Sequence, residues 1–412
     1  VLRLALAALL AGAGTLALGA PPGHARNLTS AAELDTLRRQ ADQGIRPQVD
    51  QRAALVAAAD APWAWGSVSG EFVTTLEGSA KRCHPATDPT LTRYLKDGAP
   101  DAYAKVLAAL TSSDPDPAWA RDARAHVIDL VDTTGFHGLD GDQSPTNQCA
   151  LELGISLPVW IETAQLLEHT SVWTEADRVA FAGWLAREAY PRVAWASRER
   201  RNNWGAAGSA AASLIADHVD GSVPTLVELW PTQRVLTPEV ARREHDAMQL
   251  ARIGTTWRGD TRCDRAGIQP HGGIPDELRR GSAGCDATFL PEGDDPSHTY
   301  QTMHVELLVL HAEAQRRRGD TTLFDARVRP QRPAILQAIL FVVDNPTPGG
   351  RSWPWGTRTG ALAVANRYYA DARLQRALDA EGDGTTRGGR SLPYARLLAM
   401  EIRLRPPVIT VQ

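Results

Sequence analysis

The chain has 412 residues, a formal net charge of -4 at pH 7 and 43% hydrophobic residues, enough apolar side chains for a large core. A slightly acidic chain lacks the basic excess that normally accompanies binding to nucleic-acid phosphates, which argues against nucleic acid as the partner. Four cysteines without a CxxC pair also argue against a zinc ribbon or a thioredoxin-like redox centre.

The first residues, VLRLALAALLAGAGTLALGAPPGHA, place Arg3 before a short Ala/Leu-rich run and a small-residue exit. That layout predicts a secretory signal peptide over 1–25, cut after Ala25 with Ala20 as the alternative site, and an exported protein. No later stretch is long enough to span a bilayer, so no membrane partner is expected after cleavage. In an oxidising compartment the cysteines should pair, and the sequence-local pairing Cys83–Cys149 with Cys263–Cys285 is the simplest of three connectivities.

Helical periodicity dominates the rest. AYAKVLAAL and WARDARAHVIDLVD carry apolar residues at helical spacing, and LPVWIETAQLLEH reads as a helix starting at Pro158. TEADRVAFAGWLAREAYPRV opens with a capping box of Thr174 and Asp177, with Pro191 near its exit. WGAAGSAAASLIADHVDG is rich in small residues, which permits close packing. TPEVARREHDAMQLARIG is amphipathic, and TYQTMHVELLVLHAEAQRRRGD should end at Gly319. RPAILQAILFVVDN and GALAVANRYYADARLQRALD complete the set. Strand-like alternation is almost absent, and long loops are expected near 131–150, 257–299 and 344–357. The predicted fold is all-α, an incomplete α/α toroid of antiparallel helix pairs over 26–412 with loops lining a cleft. An α-solenoid is the structural alternative, but no repeat period is visible.

There is no GxSxG elbow, phosphate-binding GxxxxGK[ST], GxGxxG or HExxH, which removes the commonest serine-hydrolase, nucleotide and zinc-protease readings. A glycoside hydrolase needs only two carboxylates, and Asp276, Glu277, Glu292, Asp294 and Asp295 supply candidates. A carbohydrate-binding protein without catalysis is a further alternative.

Two adjacent side-chain amides stand out in RERRNNWGAAG. Asn competes for backbone groups, so a pair before an Ala-rich helix either caps it or faces a ligand. Three blocks in order, RNNWGAAGSAAASLIAD (201–217), IQPHGGIPDELRRG (268–281) and SHTYQTMHVELLVLHAEAQRRRGD (297–320), resemble those of the alginate lyase superfamily of α/α-toroid polysaccharide lyases. With the helix pair at 151–190, the resemblance covers most of the chain. It implies cofactor-free and metal-free β-elimination on a 1,4-linked uronate polymer, alginate or glucuronan, by a secreted monomer. It points to Asn203, Arg280 and Tyr300 as catalytic groups.

The chemistry fits those residue types. Removing the proton beside a carboxylate requires that its charge be neutralised and the developing enolate stabilised, which Asn amides and Arg forks do. A phenol can act as base when nearby Arg lowers its pKa, and Arg279 and Arg280 are placed for this. Where the best-known branch carries His after Asn-Asn, this chain has Trp204. Tyr300 then performs both proton transfers, or His271, in the Gly-rich QPHGG loop, shares the work. The insertion between Arg280 and Tyr300 carries Cys285, whose bond to Cys263 would pin it across the segment bearing His271. Arg201, Asn202, Trp204, Arg279 and His304 are candidate substrate contacts, as are Trp353 and Trp355 of the SWPWG loop, where indoles offer stacking faces to sugars.

Overall fold

The computed structural model describes residues 28–46, 48–63, 94–133, 149–229, 233–254, 263, 267–291, 295–329, 332–345 and 359–380. Of these, 72% are helical and 4% are strand. The strands form two short antiparallel hairpins, Leu226–Glu228 with Arg234–Leu236 and Arg327–Arg329 with Arg332–Pro333. The protein is therefore all-α. The expected signal peptide, Cys83, Glu292, Asp294, Trp353, Trp355 and most of the loops 131–150 and 344–357 lie outside the described residues, as do the side chains of Cys149 and Asp295.

The helices form a buried row with further helices packed against it. Helices Ala99–Thr111, Cys149–Leu167, Asn203–Val219 and Asp295–Arg317 form a row in which each packs on the next. Against them lie Gln48–Asp60, Pro117–Thr133, Tyr190–Glu199, Pro238–Ile253 and Ala334–Val343. In Asn203–Val219, the central helix, every residue except Trp204 is buried. Its run of Gly, Ala and Ser explains this: short side chains let neighbouring backbones approach, and a Cβ on Gly154 would lie 2.8 Å from that of Ala207.

The ends of the row are joined through the first described helix, Ala31–Asp42. Its buried Glu33 takes Arg317 at 2.5 Å and Arg367 at 3.1 Å, and Arg367 also pairs with Glu313. Leu28 packs against both main core clusters, and its N–H donates to Glu162 at 2.9 Å. Buried charges are tolerated here because each is paired.

Local signals in the sequence explain several boundaries. Thr174 and Asp177 form the expected capping box, Thr237 caps Pro238–Ile253, and Gly319, with φ +87°, follows the long helix. Two prolines behave differently from expectation. Pro158 lies inside Cys149–Leu167, not at its start, because burial of both flanks outweighs one lost hydrogen bond. Pro191 stands in the first turn of Tyr190–Glu199, where its missing N–H costs nothing, after a π-helical turn at Leu185–Ala189. The stretch 359–380 is two helices, Thr359–Tyr369 and Ala372–Ala380, broken at Ala370 with φ 51°. Inside the expected 257–299 loop sits the short helix Pro275–Leu278, and a Cys263–Cys285 disulfide ties its flanks.

Candidate functional site

The two asparagines divide the alternatives between them. Asn202 is the N-cap of the central helix, its side-chain oxygen accepting from the Trp204 N–H at 3.2 Å. Asn203, one residue on, turns inward and is fully buried. Its Nδ2 donates to the Met303 sulfur at 3.6 Å, its backbone N–H to Glu277 Oε1 at 2.6 Å, and its Oδ1 has no donor among the described residues. Gly205 explains the Trp-Gly step: a Cβ there would collide with the Arg200 carbonyl. That carbonyl accepts from Nε and Nη2 of the fully buried Arg252, at 3.3 and 3.1 Å, so the chain ahead of the asparagines is held rigidly.

The IQPHGGIPDEL segment is clamped onto the long helix. Gly272, with φ +106°, makes a turn that a side chain could not, because a Cβ would meet the Gln337 carbonyl. Gln301 accepts from the Ile274 N–H and donates to the Gly272 carbonyl, both at 3.0 Å, and Ser297 Oγ donates to the Leu278 carbonyl at 2.8 Å. These bonds deliver Glu277 to the interior. One oxygen, Oε1, meets both the Asn203 N–H and His304 Nδ1, the latter at 2.9 Å, while Oε2 has no donor among the described residues. Asp276 is engaged by Arg279.

Tyr300, Met303 and His304 stand three and four residues apart on one face of the long helix. His304 is buried against Glu277, and Met303 and Tyr300 are half-buried. The Arg280 guanidinium lies over the Tyr300 ring at 5.0 Å, and among the described residues no carboxylate pairs with it. Arg200 lies over both Trp195 and Trp204, at 5.3 and 5.1 Å.

The site thus has a buried floor of Asn203, Glu277 and His304, beneath half-buried Tyr300, Met303, Arg280, Arg200 and Trp204. Three catalytic candidates, Asn203, Arg280 and Tyr300, come together through Met303 and the Glu277 clamp. His271 is half-buried on the other side of its loop, its ring tilted 5.5 Å from Phe341 and its carbonyl accepting from Gln337 at 3.2 Å. His304 was expected to touch substrate; it lies beneath the surface because its ring partners Glu277. Exposed Arg279 is balanced by Asp276, and Arg201 is half-buried at the mouth. Of the carboxylates considered for hydrolysis, Glu277 and Asp276 are both committed to these contacts. Sequence reasoning did not single out Arg200, Trp195 or Met303; for the first two the signal was an arginine flanked by indoles five residues before and four after it.

Among the described residues no cluster of His, Cys, Asp or Glu is arranged to hold a metal ion, and no helix is long and apolar enough to cross a membrane. A 370 Å³ depression beneath the Leu226–Glu228 strand, lined by Gly183, Arg187, Val227 and Leu229, shares no residue with the site. No protein-family model, curated protein or solved structure matches the chain.

Proposed function

We propose that the protein is a secreted polysaccharide lyase that cuts a 1,4-linked uronate polymer, alginate or glucuronan, by β-elimination. The observation that carries this reading is Arg280, a guanidinium with no acidic partner among the described residues, held against the Tyr300 ring on the helix face that also covers Asn203. A guanidinium fork beside a phenol suits a carboxylate whose neighbouring proton is to be removed.

In this mechanism Arg280 takes the uronate carboxylate and spreads its charge. Asn203 adds an amide N–H once the Met303 thioether, a weak and adaptable acceptor, gives way to a carboxylate oxygen. Tyr300, as phenolate, takes the proton from C5, the C4–O bond breaks to leave a C4=C5 double bond, and the phenol returns that proton to the departing oxygen. Glu277 touches no sugar; it holds Asn203 and His304 in place. A single phenol serving both steps suits a chain with Trp204 in the position of a base. His271 stays a helper from the loop flank.

The row of buried helices with others packed against it, and Glu33 linking the first helix to the last of the row, support an α/α toroid whose mouth carries these groups. The Cys263–Cys285 bond supports an exported protein, since such bonds persist in oxidising compartments.

The test is incubation with polymannuronate, polyguluronate, mixed alginate and glucuronan, following the near-ultraviolet absorbance of an unsaturated uronate. Absorbance growth on one of these polymers is expected, and silence on all of them rejects the proposal. Hydrolysis by paired carboxylates would instead yield reducing ends without absorbance, and mere binding would consume nothing.

A further inference from the structure

The protein has three methionines, and two of them, Met248 and Met303, lie among the described residues. Both are half-buried, and each sulfur accepts a hydrogen bond, Met248 from Ser197 Oγ at 3.4 Å and Met303 from Asn203 Nδ2 at 3.6 Å. The first bond belongs to a core network, since Ser197 Oγ also meets Ser209 at 2.6 Å and His245 at 2.8 Å. The second engages a group of the candidate site directly. Among the described residues no cysteine is a free thiol, so a peroxide that reaches this surface meets thioethers as the most readily oxidised sulfur.

Oxidation would change what Met303 does. With Trp204 it rests on a buried apolar cluster of Leu151, Ile155, Ala206, Ala207 and Leu307, where a soft thioether packs well. A thioether is a weak acceptor, so the Asn203 amide can leave it for a carboxylate oxygen. In the sulfoxide a polar oxygen stands on that sulfur, and among apolar neighbours it needs a donor. Asn203 Nδ2 already faces the sulfur, and the residue that carries it is fully buried, with its backbone N–H held by Glu277 at 2.6 Å. The amide would then be committed to Met303 and withheld from a substrate.

We propose that Met303 is an oxidative modification site: hydrogen peroxide converts its thioether to the sulfoxide, which ties up the Asn203 amide and turns the site off. In this step the peroxide O–O bond breaks and one oxygen forms the S–O bond. The sulfur gives up two electrons, and the rest of the peroxide leaves as water. That the activity lost is an elimination rests on the lyase reading above. The oxidation of Met303 and its hold on Asn203 do not.

The experiment treats wild type, Met303→Leu and Met248→Leu with hydrogen peroxide and reads the sulfoxide at each methionine by peptide mass. Turnover on the polyuronates is followed against each protein's own untreated rate, and the Asn203 side-chain amide by heteronuclear NMR, assigned through its loss in Asn203→Asp. In wild type and Met248→Leu, turnover should fall about tenfold or more, the size of one lost hydrogen-bond donor, in step with sulfoxide at Met303. The Asn203 amide proton should move downfield as its acceptor strengthens. Met303→Leu should keep most of its own rate and show no such shift. Met303→Gln, with an amide oxygen in place of the sulfoxide's, should turn over more slowly than Met303→Leu before any peroxide is added. If Met303 stays a thioether under peroxide that fully oxidises free methionine, if its sulfoxide leaves the Asn203 resonance in place, or if Met303→Leu loses as much as wild type, the proposal is rejected. A peroxide-dependent Asn203 shift in a protein that yields no absorbance on any polyuronate would sink the lyase reading and leave the Met303 chemistry standing. Elimination that runs at its normal rate with Met303 fully oxidised would do the reverse.

Discussion

The guanidinium carbon of Arg280 lies 5.0 Å from the centre of the Tyr300 ring, a relationship that puts a positive charge beside a phenol at the mouth of the site. Tyr300→Phe keeps the ring and loses the proton carrier, so it should cut turnover by about 10²–10⁴-fold without lowering the unfolding temperature. Arg280→Gln should lower kcat by about 10²–10³-fold, with Lys a poor substitute because it lacks the planar fork. Initial rates of absorbance growth on the active polyuronate measure both; a Tyr300→Phe enzyme of near-normal rate would remove the phenol from the mechanism.

Glu277 ties three elements together, taking the Asn203 N–H at 2.6 Å and His304 at 2.9 Å from a fully buried position. Glu277→Ala would leave two buried donors unsatisfied and should destabilise the fold by roughly 2–4 kcal/mol, read as a lower urea midpoint. Glu277→Gln, which keeps an acceptor, should cost less than half of that. Equal losses from the two replacements would mean that the carboxylate charge, not its bonds, is what counts.

Gly205→Ala brings a methyl group against the Arg200 carbonyl and Arg252 Nε. Overpacking at a rigid backbone contact should cost about 1–3 kcal/mol and displace Asn203, lowering activity more than stability. Trp204→Ala, at a half-buried position, should leave the fold nearly as stable while weakening the hold on Arg200. Thermal unfolding and turnover of the two variants separate these effects.

Burial raises Glu162 from 4.5 to about 7, against the opposing pulls of the Leu28 N–H, Thr29 and Arg317. Its folded value exceeds its unfolded one, so the native state keeps a proton that the unfolded chain has lost, and stability falls as pH rises from 4.5 to 7. Over that window the loss is on the order of 3 kcal/mol. Glu162→Gln keeps an acceptor for Leu28 and should flatten this decline, exceeding wild type in stability above pH 7. Unfolding temperatures across the window would show it, and parallel curves for the two proteins would refute it.

Much of the helical architecture was legible in residues that act locally. Thr174 with Asp177, Thr237 before Pro238, and Gly319 mark boundaries through bonds and dihedrals within one turn. Pro158 and Pro191 misled because what overrides a proline is burial of the surrounding segment, which depends on partners far along the chain. The site was readable as a set of residue types but not as a set of directions. Asn202 and Asn203 are neighbours in sequence, yet one caps and the other points inward, because consecutive positions at a helix start face different sides. Likewise Arg279 meets Asp276 while Arg280 reaches Tyr300. His304 shares a helical face with Tyr300 as spacing requires, but its burial against Glu277 depends on how the 268–281 segment docks.

The most direct measurement counts both products of cleavage on the polyuronate that the enzyme degrades: new reducing ends and unsaturated uronate chromophores. The account predicts equal numbers of each, and loss of both together in Tyr300→Phe and Arg280→Gln. Reducing ends that accumulate without the chromophore would mean that water, not elimination, breaks the bond, and would contradict it.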